Sequence, residues 1–139
     1  MPGQNLYDKL TSDPLWGPEC AVISDLKGCS DARPAVVGGA VRDLLLERPI
    51  SDLDIATAIP DTARMLAKAF AEATGRSFVQ YTHKQTIYRV VGHAQPQVDF
   101  TDPIGGTREA DLRRRDFTIN AMALGLKAVS YTHLTLPTN

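Results

Sequence analysis

The chain has 139 residues, 43% of them hydrophobic and 22% charged, which excludes a fibrous or disordered polypeptide and fits one soluble globular domain. Fifteen Lys and Arg against sixteen Asp and Glu leave a formal charge of −1, so bulk charge argues neither for nor against a nucleic-acid partner. Cys20 and Cys29 are the only cysteines and stand in no CxxC or Cys/His spacing, which excludes a disulfide framework or zinc centre and predicts buried, idle thiols.

Residues 1–17 carry Pro2, Gly3, Pro14 and Gly17 and read as a loosely structured lead-in. They lack a basic segment followed by an apolar stretch, and no later run reaches membrane-spanning length, so a cytoplasmic location and no membrane partner are expected. Pro18 to Lys27 is predicted as a short helix closed by Gly28, and Cys29 to Arg33 as a loop. Ala35, Val36 and Val37 form a short strand entering the Gly38-Gly39 pair. The AVRDLLLE that follows has helical spacing until Pro49 stops it.

In SDLDIAT, Leu53 and Ile55 alternate with Asp52 and Asp54, the pattern of a strand with one apolar and one acidic face. A helix is expected from Pro60, with Asp61 as N-cap, Met65, Leu66, Ala69, Phe70 and Ala73 as its apolar stripe, and Gly75 ending it. Ser77 to Gln80 is a further candidate strand. Gln85 to Val91 and Gln97 to Thr101 read as a strand pair, and EADLRRRDFTINAMALGL, from Glu109, is helical in composition. The fold class predicted is α/β (α+β), a small mixed sheet flanked by helices.

Residues i and i+2 of a strand share a face about 6.5 Å apart, so Asp52 and Asp54 present their carboxylates together. Two such groups suit hard cations such as Mg²⁺, which takes a few protein oxygens and keeps other positions for water or phosphate. A bare Asp-x-Asp also decorates many exposed strands. Gly38 and Gly39, between strand and helix, let backbone N–H groups approach a phosphate, although an ordinary tight turn uses the same residues. Neither a Walker A loop nor a dinucleotide fingerprint is present. Arg42, one turn into the helix, can reach the same anion. Asp99, between Val98 and Phe100, is either a third carboxylate or a solvated strand residue. Asp116 and Asn120 stand four apart on a predicted helix, beside Arg115. Arg113, Arg114 and Arg115 form a local basic run, read alone as a solvated face. His83, His93 and His133 show no ligand spacing and are read as surface or loop residues.

The string VVGGAVRDLLLERPISDLDIAT, from Val36 to Thr57, resembles the opening motif of the class II tRNA nucleotidyltransferase and bacterial poly(A) polymerase family. DLRRRDFTINAMAL, from Asp111 to Leu124, is similar to the second motif of that family's head domain. The resemblance implies a DNA polymerase beta-like nucleotidyltransferase head at residues 34–126, preceded by a lead-in and short helix at 1–33. It also implies roles: Asp52 and Asp54 as catalytic metal ligands for Mg²⁺, and Gly38, Gly39, Arg42 and Arg115 as nucleotide contacts, with Asp116 and Asn120 facing the sugar or bracing the site. The implied activity is addition of CMP or AMP from CTP or ATP to a tRNA 3′ end, with a poly(A)-, CC- or A-adding enzyme as the near alternative. A head that binds nucleotide and Mg²⁺ without turnover is the alternative of another class. Glycosyltransferases also use an Asp-x-Asp pair, but the upstream glycine turn and RRDFTINA argue against them. The family's neck, body and tail regions, which select the base and hold the RNA, do not follow here. Residues 127–139 depart from the family pattern and read as a non-native end.

Overall fold

In the computed structural model, which describes residues 2–114, 122–126 and 134–135, the expected loose lead-in is instead a helix, α1 (Pro2–Ser12). Leu6 and Leu10 are one helical turn apart and both buried, so the segment has an apolar stripe that Pro2, Gly3 and Pro14 at its margins obscured. Next comes α2 (Trp16–Asp25), which packs on α1 so closely that a Cβ on Gly17 would stand 2.4 Å from the Thr11 carbonyl oxygen. Trp16 is buried and donates its indole N–H to the Ile50 carbonyl at 2.9 Å, tying α2 to the segment that leads into the acidic strand. The predicted loop after Gly28 contains a single turn of helix, α3 (Cys29–Ala32), with Cys29 and Ala32 buried.

The predicted strand, turn and helix follow as β1 (Ala35–Val37), Gly38 and α4 (Gly39–Leu45). SDLDIAT supplies β2 (Leu53–Ala56), with Asp52 just ahead of it. The helix after it, α5 (Ala63–Thr74), differs from expectation in two ways. Asp61 does not cap it: that residue has φ 64°, and the backbone N–H groups of Thr62 and Ala63 donate to Asp102 Oδ1 at 3.0 and 2.9 Å. A carboxylate distant in sequence thus satisfies the orphan donors that a local one was expected to serve. The buried stripe is also rotated, comprising Ala63, Leu66, Ala67, Phe70 and Ala71, with Met65 42% exposed.

Three strands come next: β3 (Ser77–Thr82), β4 (Thr86–Gly92) and β5 (Gln95–Thr101). A short helix, α6 (Arg108–Arg113), is capped by the Thr107 hydroxyl, which accepts from the Ala110 N–H. Ala123–Gly125, expected to continue a helix, is strand β6, and Leu134–Thr135 is β7. The strand pairing of β6 with β1 overrides the helical composition of Ala123 and Leu124. Residues 115–121, which include Arg115, Asp116 and Asn120, lie outside the described residues, as does His133.

The strands form one sheet in the order β3-β4-β5-β2-β1-β6-β7. Among the described residues, only β2 and β5 run parallel, which requires the crossover through α5 and the β3–β4 pair; the other pairings are antiparallel. The expected mixed sheet flanked by helices is the observed architecture. One face carries the main core, in which Leu53, Ile55, Val98 and Phe100 meet Leu66, Ala67 and Phe70, with the Phe70 and Phe100 ring centroids 5.7 Å apart. The other face carries a smaller cluster of Ala35, Val37, Ala56, Leu112 and Ala123. Cys20 and Cys29 are both buried, as expected, and burial pushes the Cys20 thiol up to about 12. Among the described residues, no helix is long and apolar enough to cross a membrane.

Candidate active site

Strand pairing carries the acidic residues onto one row. Across the sheet, Val79 of β3 stands opposite Arg89 of β4, Arg89 opposite Asp99 of β5, Asp99 opposite Asp54 of β2, and Asp54 opposite Val37 of β1. Residues paired in this way point to the same face. Leu53 and Ile55 point into the main core, so Asp54 faces the side of the smaller cluster, which Leu112 of α6 joins. Asp52 and Asp54 are both exposed on either side of buried Leu53. The expectation of one apolar and one acidic face on this strand matches the burial pattern.

The glycine turn meets this row from the β1 side. Gly38 has φ 72° and ψ −137°, a conformation essentially restricted to glycine, and a Cβ added there would lie 3.8 Å from Asp54 Oδ2. Register explains the approach, since Val37 pairs with Asp54 and the chain turns immediately afterwards. Gly38→Ala meets no hard clash, so its penalty is backbone strain of about 1–3 kcal/mol. A fall of about 4–10 °C in Tm is the expected outcome on that scale, read by thermal denaturation; an unchanged Tm contradicts the strain.

Arg42 stands at the mouth of the same turn. Its Nη2 lies 3.1 Å from where a Gly39 Cβ would be, so the missing side chain makes room for the guanidinium. Arg42 also pairs with its neighbour Asp43 at 3.3 Å, and its side chain remains 40% exposed against 8% for Asp43. An exposed guanidinium beside the turn can re-aim toward an anion, at the expense of its pair with the buried Asp43 carboxylate.

Asp99 is not an idle strand residue. Arg89 donates Nε to Asp99 Oδ1 at 2.8 Å and Nη2 to Oδ2 at 2.9 Å, a bidentate pair. The same Nη2 donates to the Tyr81 hydroxyl, and the guanidinium carbon lies 4.7 Å from the Tyr81 ring centroid. The hydrogen bond that Arg89 donates to Asp99, the largest of several influences, raises the Arg89 pKa above its ordinary value, so this residue stays charged at every accessible pH. Sequence reading missed Arg89 and Tyr81. The available signal was the period-two alternation that places Arg89 between Tyr88 and Val90, as Asp99 stands between Val98 and Phe100.

The basic run is less free than its sequence suggests. Arg114 donates to Asp111 Oδ1 at 3.0 Å and to Gln85 Oε1 at 3.4 Å, while buried Asp111 also accepts from the Ile104 N–H. His83 and His93 are exposed turn residues, as expected. Among the described residues, no group of three or more His, Cys, Asp or Glu could hold a metal ion, so a cation here would rest on few protein ligands.

The chain is similar to known proteins across this region. Residues 35–103 match the poly A polymerase head domain. A CCA-adding enzyme of Geobacillus thermodenitrificans is 42% identical over 100 residues, spanning 63% of this chain and 24% of the relative. A CC-adding tRNA nucleotidyltransferase of Thermus thermophilus is 43% identical over 105 residues, 71% of this chain and 23% of the relative. Among solved structures, the Thermotoga maritima CCA-adding enzyme complexed with tRNA superposes with a TM-score of 0.80 at 27% identity, covering 97% of this chain and 32% of that one. The chain therefore spans about a quarter of the length of these curated relatives. Through residues 35–103, with the glycine turn and acidic strand at their centre, the chain belongs to the poly A polymerase head domain family, the family of the CCA-adding and poly(A)-adding nucleotidyltransferases.

Proposed function

We propose that this chain is the nucleotide-adding head of a template-independent RNA nucleotidyltransferase, transferring CMP and AMP from CTP and ATP to a tRNA 3′ end. The observation that carries the reading is the convergence of the glycine-only turn at Gly38 on the exposed Asp54 carboxylate. Relatives at 42–43% identity are named CCA-adding and CC-adding enzymes, and solved neighbours include CCA-adding enzymes complexed with tRNA, CTP and ATP.

The donor set fits a divalent cation, since Asp52 and Asp54 offer exposed, hard carboxylate oxygens and no side chain at Gly38 closes the space beside Asp54. Asp52 and Asp54 would hold Mg²⁺, which when bound supplies charge stabilisation to the attacking 3′-oxygen and to the triphosphate. The protein's own part is positioning. The backbone of Gly38 and Gly39 admits the triphosphate beside the acidic row, and Arg42 swings from Asp43 to an anionic oxygen. Arg115, Asp116 and Asn120 are assigned by family resemblance to the nucleotide and its sugar. The RNA 3′-oxygen forms a bond to the α-phosphorus as the bond to the pyrophosphate oxygen breaks, and the hydroxyl proton leaves to solvent or to a carboxylate of the row. No protein nucleophile is required, so alignment and charge placement carry the rate. A cytoplasmic site of action accords with this chemistry.

Incubating the chain with tRNA lacking its 3′ end, with CTP, ATP or both, and sequencing the products tests the reading. Added CCA supports it. Products ending in CC or in one A, or a long A tail, assign one of the related specificities, which the match to both CCA-adding and CC-adding relatives leaves equally near. A second reading, nucleotide and Mg²⁺ binding without turnover, is identified by Mg²⁺-dependent CTP binding with no product. Arg42→Ala is expected to weaken CTP and ATP binding in parallel, by about ten- to a hundredfold on the scale of one charge-assisted hydrogen bond to phosphate, read by isothermal titration. A selective loss of one nucleotide would make Arg42 a reader of the base instead.

A further inference from the structure

One transverse row of the sheet carries the charges Arg89, Asp99 and Asp54 in that order, cation then two anions, on adjacent strands. Neighbouring strands lie about 4.8 Å apart, so two ionised carboxylates abreast repel each other and together attract any cation strongly. The chain meets this with the bidentate Arg89–Asp99 pair, whose side chains are 31% and 14% exposed, while Asp54 is the exposed member of the row. Tyr81 fixes the arginine from its far side, through its hydroxyl and through its ring. Both carboxylate oxygens of Asp99 are thereby engaged by one rigid fork, a geometry that lysine cannot reproduce.

We propose that Arg89 is a positioning residue that withholds Asp99 from the cation site and so keeps the affinity of the acidic row for free divalent cations low. The inference rests on the metal assignment made above for Asp52 and Asp54. Its functional consequence is coupling. A site offering two carboxylates, Asp52 and Asp54, rather than three holds a bare cation weakly, and a nucleoside triphosphate that arrives with its own negative charge completes the site. Cation occupancy then follows nucleotide occupancy, and the head does not rest with a tightly held ion in the absence of substrate.

The test is Mn²⁺ binding to the purified chain, followed by electron paramagnetic resonance of the free ion, alongside a thermal melt of each sample. Arg89→Ala is expected to tighten Mn²⁺ binding about fivefold, the order expected when one unit charge near a divalent cation is removed in a solvent-like dielectric. Adding Asp99→Asn to Arg89→Ala returns the affinity to within about twofold of wild type, because the released carboxylate is then gone. Arg89→Lys, which keeps the charge without the fork, falls between wild type and Arg89→Ala. A merely structural role for Arg89 would weaken binding together with the melt, and weakened or unchanged Mn²⁺ affinity in folded Arg89→Ala overturns the inference. Asp54→Ala separates the two layers of argument. If wild type binds Mn²⁺ with no dependence on Asp54, the metal assignment fails and the inference falls with it. If Asp54-dependent binding is present and Arg89→Ala leaves it unchanged, only the role of Arg89 is lost.

Discussion

Asp54→Ala abolishes the Mg²⁺-dependent part of CTP and ATP binding and lowers single-turnover incorporation, in any form of the protein that shows it, by at least about a hundredfold. That factor corresponds to about 2.7 kcal/mol, within the several kcal/mol that ion-assisted charge stabilisation supplies. The fold should persist. Asp54 is exposed and points away from the core built by Leu53 and Ile55, and it stands beside Asp99, so its removal also relieves a like-charge contact. The melting temperature is expected within about 3 °C of wild type, the range typical of surface substitutions in a domain of this size. Titration of CTP with and without Mg²⁺, paired with circular dichroism melts, reads both quantities. More than about a tenth of wild-type incorporation in Asp54→Ala would exclude Asp54 as a metal ligand, because losing a stabilisation of 1.36 kcal/mol already costs tenfold. Asp52→Ala should behave alike, although Asp52 lies just outside β2 and its carboxylate depends on the loop from Pro49 for its direction.

How much of this was legible in the sequence depended on whether the information was local. Ala35–Val37, the glycine pair and the alternation around Asp52 and Asp54 announced their elements because a strand's period and a glycine's conformational freedom are short-range properties. The cap of α5 was misread for the opposite reason, since Asp102 is 40 residues from Thr62 and nothing near Asp61 reveals it. The Arg89–Asp99 pair shows a subtler limit. Gly92 stands opposite Gln95 around the turn at His93 and Ala94, and continuing that register would set Arg89 opposite Val98. An irregularity between Val90 and Gly92 shifts the ladder by one residue and brings Arg89 opposite Asp99 instead. A one-residue slip exchanges the faces of a strand, so the composition of the acidic face turned on a bulge that no residue pattern specifies. The helical reading of Ala123–Gly125 failed because pairing with Val37, Val36 and Ala35 outweighs the intrinsic preference of three residues.

Glu19→Ala is the substitution expected to damage the fold most. Glu19 on α2 accepts both terminal nitrogens of Arg76, just after α5, at 2.5 Å each. The Arg76 side chain is only 3% exposed and that of Glu19 11%. Arg76 further donates Nε to Gln95 Oε1 at 3.0 Å and Nη1 to the Pro96 carbonyl at 3.4 Å, and its guanidinium carbon lies 5.2 Å from the Phe70 ring centroid. This one side chain therefore joins α2, the end of α5 and the start of β5, the strand that carries Asp99. Truncating Glu19 leaves a guanidinium buried without its counter-charge, which costs about 3–5 kcal/mol. For a chain of this length that is a fall in Tm of about 10–20 °C. Two companion variants identify the cause. Glu19→Gln keeps the acceptor oxygen but removes the charge and should lose less. Glu19→Leu combined with Arg76→Leu removes both charges and should recover most of the loss, because apolar replacement of a whole buried pair is often neutral or stabilising. If the double variant is no more stable than Glu19→Ala, the contacts of Arg76 to Gln95, Pro96 and Phe70, lost with its side chain, are worth as much as the relief of the uncompensated charge. Nucleotide binding offers a second readout. Arg76 fixes the start of β5 from behind, so a destabilised junction should loosen the Asp99 end of the acidic row and weaken Mg²⁺-dependent CTP binding in Glu19→Ala at temperatures well below its melt.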